Sequence, residues 1–177
     1  MKVEIVKVGY LETNCYLLEK NGKVLVIDPG DEFYKIKDAI GEKKVIGVVI
    51  THYHDDHIGA LKELIDEFDV NTYDVHNLIE GKCSIDEFEF ECINTPGHKE
   101  DAISLYFEKE KMLFSGDFIF QGTIGRWDFP GGSTAEMKKS LLKIMKYPAD
   151  LTVFPGHGDK TNLGDETLIF ENYIKYF

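Results

Sequence analysis

Apolar residues recur along this chain with two rhythms, period two and period about 3.6, and the switches between them outline its elements. Strands are expected over roughly 2–9, where apolar and polar residues alternate, and over 13–19 and 23–28. The third of these, Val24-Leu25-Val26-Ile27, stops at the turn signal Asp28-Pro29-Gly30. A modest helix is expected near 31–41. The run Val45-Ile46-Gly47-Val48-Val49-Ile50 is apolar without alternation, as in a strand covered on both faces. Ile58, Leu61, Ile65 and Phe68 then follow at helical spacing, predicting one helix over 56–68. Short strands are expected near 71–76 and 86–94; in the latter, Phe88, Phe90 and Cys92 alternate with Glu87, Glu89 and Glu91.

The second half repeats the rhythm. Ile103, Leu105 and Phe107 alternate, and Met112-Leu113-Phe114 runs into Ser115-Gly116-Asp117. A glycine-rich loop covers 121–132. Ser133-Thr134-Ala135-Glu136 fits a capping box opening a helix with Met137, Leu141, Ile144 and Met145 inward. A strand at Leu151–Phe154 and a helix over about 165–176 complete the chain. Strands first, then strand–helix alternation twice over with no linker, suggests two sheets with helices outside, in one domain spanning 1–177.

Composition narrows the function classes. Twenty basic against 32 acidic residues give a formal charge of −12, which repels phosphate backbones. The cations are 19 lysines, spread along the chain, and one arginine, so no nucleic-acid groove is expected. No apolar run approaches the ~20 residues needed to span a bilayer. The chain opens directly on a strand pattern rather than a secretory leader, so a cytoplasmic location is expected, with no membrane partner. Cys15, Cys83 and Cys92 form no C-x-x-C pair and are expected to be reduced thiols without a catalytic role.

The chemistry concentrates at 51–57, Thr51-His52-Tyr53-His54-Asp55-Asp56-His57, directly after the buried-strand run. In extended chain His52 and His54 point to one side, and Asp56 and His57 open the helix that follows. Two imidazoles and two further ligands can therefore converge on one point, as a zinc- or iron-type cation requires. Other metal-capable residues also follow predicted strands: His98 after Thr95-Pro96-Gly97, Asp117 after Ser115-Gly116, and His157 after Pro155-Gly156. That is the edge where α/β sheets place their sites. His76 has no such company and is read as incidental.

These motifs together resemble the metallo-β-lactamase superfamily, and more narrowly its short glyoxalase II-like hydrolases. They are Thr13-Asn14-Cys15-Tyr16, Asp28-Pro29-Gly30, His52 to His57, Thr95-Pro96-Gly97-His98, Ser115-Gly116-Asp117, Gly125-Arg126 with Pro130-Gly131-Gly132, and Pro155-Gly156-His157-Gly158. The resemblance implies a four-layer αββα sandwich with two divalent metal ions at one edge. It implies His52, His54 and His98 on the first ion, Asp56, His57 and His157 on the second, and Asp117 bridging them. Asp28 matches the family's aspartate that steadies the histidine loop, with turn capping as the simpler reading. Zinc is the expected metal, with iron or manganese also compatible with the ligand types. The implied reaction is hydrolysis of a small thioester or ester, such as S-lactoylglutathione, by a metal-held hydroxide, with Asp56 also able to take a proton.

Two departures qualify the resemblance. Lys99-Glu100-Asp101-Ala102 stands where the family often has Thr-Pro-Gly-Ser, and the helical C-terminal extension that helps full-length glyoxalase II hold glutathione is not expected here. Arg126 and Trp127, the only arginine and tryptophan, either contact substrate or merely pin and pack their loop. The rival functions are a mononuclear-iron persulfide dioxygenase and a metal-binding module without hydrolytic activity.

Overall fold

The computed structural model describes all of residues 1–177. One mixed sheet holds β1 (Lys2–Val8), β2 (Thr13–Lys20), β3 (Lys23–Ile27), β4 (Lys44–Val49) and β5 (Thr72–Tyr73), in that spatial order. The other holds β6 (Gly81–Ile85), β7 (Phe88–Asn94), β8 (Ile103–Phe107), β9 (Met112–Gly116), β12 (Thr152–Pro155) and β13 (Thr161–Asn162). Its order is β13-β12-β9-β8-β7-β6. A small ribbon, β10 (Ile119–Phe120) with β11 (Thr123–Ile124), lies between β9 and the last helices in the chain. The helices are α1 (Phe33–Ile40), α2 (Asp55–Ile58), α3 (Leu61–Phe68), α4 (Thr134–Ile144) and α5 (Thr167–Tyr176).

Three apolar layers hold four structural layers together. Leu25, Ile27 and Val49 of the first sheet meet Phe88, Leu105, Phe114 and Phe154 of the second. The alternate residues Val24, Val26 and Val48 turn outward onto Ile36 and Ile40 of α1 and Leu64 of α3. On the far side Leu113 and Val153 pack on Met137, Leu141 and Phe170 of α4 and α5. The apolar runs without alternation are thus strands covered on both faces. Each large side chain so buried contributes ~1.5–3 kcal/mol before entropy is counted. The arrangement is the expected αββα sandwich. None of its helices is long and apolar enough to cross a membrane.

Local chemistry moves several expected boundaries. The helix expected over 56–68 is two, because the chain must pass close to the Asp28-Pro29-Gly30 turn. Ala60 N–H donates to the Pro29 carbonyl at 3.0 Å, and a side chain at Gly59 would collide with the Gly30 carbonyl oxygen. The break rotates α3, so Leu64 is its buried residue while Ile65 stays outside the core. The strand expected over 86–94 begins at Phe88 and pairs with β6, which the alternation missed; Asp86, at φ 50°, makes the turn between them. At α4, the Ser133 hydroxyl accepts from Glu136 N–H as expected. The Glu136 carboxylate, however, pairs with Lys139, and Ser133 N–H donates to Gly97 O.

Strand direction decides where the site forms. β3 and β4 are parallel, as are β9 and β12, and β7 runs the same way as β9 because both are antiparallel to β8. The ends of β3, β4, β7, β9 and β12 lead into Asp28, His52, His98, Asp117 and His157 respectively.

Candidate metal centre

Asp28 is the anchor of the histidine loop. It is buried at the end of β3, with φ 52°, and its carboxylate accepts from Thr51 N–H at 2.8 Å and from the Thr51 hydroxyl at 2.6 Å. The same carboxylate lies 2.9 Å from His57 Nδ1. One buried group therefore fixes both the start of the loop and its last histidine.

The loop delivers its side chains to two adjacent clusters. His52, His54, His98 and Asp117 form the first, and Asp56, His57 and His157 the second; the potential ligand atoms of each lie within 4.8 Å of one another. In the first, His54 Nδ1 is 3.0 Å from both His52 Nε2 and His98 Nε2. In the second, His157 Nε2 is 3.1 Å and His57 Nε2 3.6 Å from Asp56 Oδ2. Asp117 touches both: Oδ1 lies 3.3 Å from His57 Nε2, and Oδ2 lies 3.5 Å from both His98 Nε2 and His157 Nε2. The close approach requires glycine at 156, where a Cβ would overlap Asp117 Oδ1 and sit 2.7 Å from His57 Cε1.

Hydrogen bonding behind the rings sets which nitrogen faces the centre. His98 Nδ1 faces the Arg126 carbonyl at 2.8 Å and His157 Nδ1 the Leu11 carbonyl at 3.0 Å. Carbonyls only accept, so both Nδ1 atoms carry hydrogen. The Thr51 hydroxyl donates to Asp28 and so accepts from His52 Nδ1 at 3.1 Å, and His57 Nδ1 donates to Asp28. Four Nε2 atoms are thereby left to present lone pairs inward, joined by Nδ1 of His54. Lone pairs this close repel unless a cation or proton stands among them, and His57 Nε2 and Asp117 Oδ1 are buried with no hydrogen-bond partner. The donor set fits divalent zinc, iron or manganese.

The clusters differ electrostatically. Burial lowers the pKa values of His52, His54 and His98, so the first cluster is neutral imidazole plus carboxylate. In the second, burial opposes charge on His57, yet Asp28 and Asp117 push it up to about 10. Asp117 and Asp56 likewise overcome burial and push His157 up to about 10. Burial would raise Asp56 and Asp117 in turn, but His157 and His57 hold both well below the ordinary carboxylate range. Protons and cations therefore compete for the second cluster.

The structure gathers every residue that the resemblance implied for the metals, with Asp28 behind them. His76 stands apart, in neither cluster. Arg126 reaches the centre through its carbonyl, while its exposed guanidinium forks onto Asp128 at 2.9 and 3.1 Å. Trp127 is turned into α5, its ring 5.4 Å from Tyr173 and 4.7 Å from Phe177, which answers to the loop-packing reading. Sequence reasoning gave no role to Phe129, whose ring lies 5.5 Å from His54 and 5.1 Å from His98. Nor did it give one to Tyr53, whose hydroxyl bonds Asp74 and pins the loop between two histidines. Thr13, buried and donating to Asp56 Oδ2 at 3.0 Å, was visible only as part of a motif.

Comparison with known proteins agrees with this architecture. The family model of the metallo-beta-lactamase superfamily matches residues 8–82 and 81–157. The hydroxyacylglutathione hydrolase GloC of Haemophilus influenzae is 31% identical, over 94% of this chain and 95% of that protein. Two solved structures share the fold, each over 93% of this chain and 96% of the other. The BLEG-1 B3 metallo-beta-lactamase superposes with TM-score 0.89 at 28% identity. TTHA1623 in a di-iron-bound form superposes with TM-score 0.84 at 29% identity. From these matches, and from the donor geometry that its own residues build, the chain belongs to the metallo-beta-lactamase superfamily as a metal-dependent enzyme of the glyoxalase II-like short subgroup.

Proposed function

We propose that the chain is a binuclear metallohydrolase of thioesters such as S-lactoylglutathione. The observation that carries this reading is Asp117, whose two oxygens reach both clusters. His52, His54 and His98 would hold one ion, Asp56, His57 and His157 the other, with Asp117 shared. Such a pair of ions supplies hydroxide at neutral pH and polarises an acyl oxygen. Zinc is the first candidate; the di-iron form of TTHA1623 keeps iron alongside it.

The chain's own residues supply the rest. Asp56, held at low pKa by His157, His57 and Thr13, is better suited to ligate than to accept a proton. The leaving thiolate needs no strong acid, since thiols have pKa values near 8.5. Phe129 offers an apolar wall beside His54 and His98. Lys99 is half-buried beside Gly131 and makes no ion pair, so its ammonium suits a substrate carboxylate of the kind glutathione carries. GloC, matched over nearly its whole length, supports a glutathione thioester as the substrate.

Metal-loaded protein assayed on S-lactoylglutathione, beside a short neutral thioester, tests the reading. Metal-dependent turnover with preference for the glutathione ester is expected. Equal turnover of both would reject glutathione recognition, and none on either, with two ions bound, would reject the thioesterase.

A further inference from the structure

The start of β2 reaches the centre and touches only one half of it. Thr13, 1% exposed, opens the strand opposite Val8 and donates its hydroxyl to Asp56 Oδ2 at 3.0 Å. That oxygen also faces His157 Nε2 at 3.1 Å, so the hydroxyl fixes the carboxylate where it meets the histidine. Asn14, also 1% exposed, works on the other ligand. Its backbone N–H donates to Gly156 O at 2.8 Å, and its side-chain amide to Pro155 O and Gly158 O at 3.0 Å each. These carbonyls bracket His157. Because neighbours on a strand point opposite ways, two consecutive residues can grip two different ligands.

Two further contacts tighten the same grip. The Tyr16 hydroxyl donates to Pro155 O at 2.5 Å, and Leu11 O accepts from His157 Nδ1 at 3.0 Å. Both side-chain partners of Asn14 are carbonyls, so its amide nitrogen must face them, and Oδ1 is left buried without a partner. An unsatisfied buried acceptor is unfavourable, so the two donations to the His157 loop are made against that cost. The first cluster takes its support elsewhere: His52 from Thr51 and His98 from the Arg126 carbonyl.

We propose that Thr13 and Asn14 are positioning residues for the second cluster alone, so that the start of β2 sets whether the chain holds one divalent ion or two. The inference rests on the two-cluster reading above and deepens it. Partners that orient metal ligands from behind typically change affinity 10–100-fold, which is the effect expected here at one site only.

The test counts ions rather than turnovers. Metal-free wild type, Thr13→Val, Thr13→Ser and Asn14→Ala are titrated with cobalt(II), followed by visible absorption and equilibrium dialysis, with urea unfolding as the check on folding. Wild type is expected to take two ions. Thr13→Val and Asn14→Ala should leave one site nearly unchanged and weaken the other by about tenfold or more, and Thr13→Ser should keep both near wild type. Thr13→Val keeps the shape of the side chain, so it decides the matter even where Asn14→Ala unfolds. Equal weakening of both sites, or an unaltered second site, overturns the proposal. A wild type that takes only one ion overturns the two-cluster reading itself, and is seen before any variant is compared.

Discussion

Asp117 is the residue whose carboxylate lies against both clusters. Asp117→Ala is expected to abolish turnover and to lower bound metal from two ions to fewer than one; full activity in this variant would refute the shared ligand. Asp28 acts from behind the ligands, and Asp28→Asn leaves the Thr51 and His57 hydrogens without a charged acceptor. Metal affinity should fall by roughly 10–100-fold, measurable by competition with a chromogenic chelator. His76→Ala should change neither metal content nor rate. At this scale the candidate site was legible to an unusual degree, because its ligand types fall in short motifs beside strand ends. Thr51, Phe129 and Tyr53 were not legible: their contacts join positions 21 to 75 residues apart, which spacing along the chain cannot reveal.

At the scale of elements, the break between α2 and α3 is the most instructive departure. A continuous helix from 56 would turn Ile65 inward, but the chain gives up two residues of helix to pass the Gly30 turn, and Leu64 takes the buried place. Leu64→Ala should therefore cost ~2–5 kcal/mol in urea unfolding, and Ile65→Ala about 0.5 kcal/mol or less. Comparable losses at the two positions would contradict the broken helix. Periodicity could not anticipate the break, because its cause is another turn 29 residues away. β6 was missed for a related reason. Its residues Gly81, Lys82, Cys83 and Ser84 carry weak strand character, and pairing with β7 is what makes them extended.

For the whole molecule, the two clusters couple folding to pH. The raised pKa values of His57 and His157, about 10 each, add stability that is fully present below the unfolded value near 6.5. It is lost as pH rises toward 10. The lowered values of Asp56 and Asp117 act oppositely, adding stability above about 3.9 that is lost on acidification. Chelator-treated protein should then melt lower at pH 9.5 than at pH 6.5, by at least ~2 °C, and added zinc should reverse the order. Metal replaces the departing protons on the same nitrogens, so its binding strengthens over that interval. An unchanged melting temperature without metal would disprove this coupling.

The sequence by itself determined the layer pattern, the strand ends that carry the ligands, and the chemical type of the centre. Those depend on local periodicity and on short runs of side chains whose chemistry is their own. Only the tertiary structure decided which histidine nitrogens face inward, that Trp127 packs against the end of α5, and that the start of β2 touches one cluster alone. Each of these is a contact between distant segments, set by the direction in which parallel strands bring their ends together.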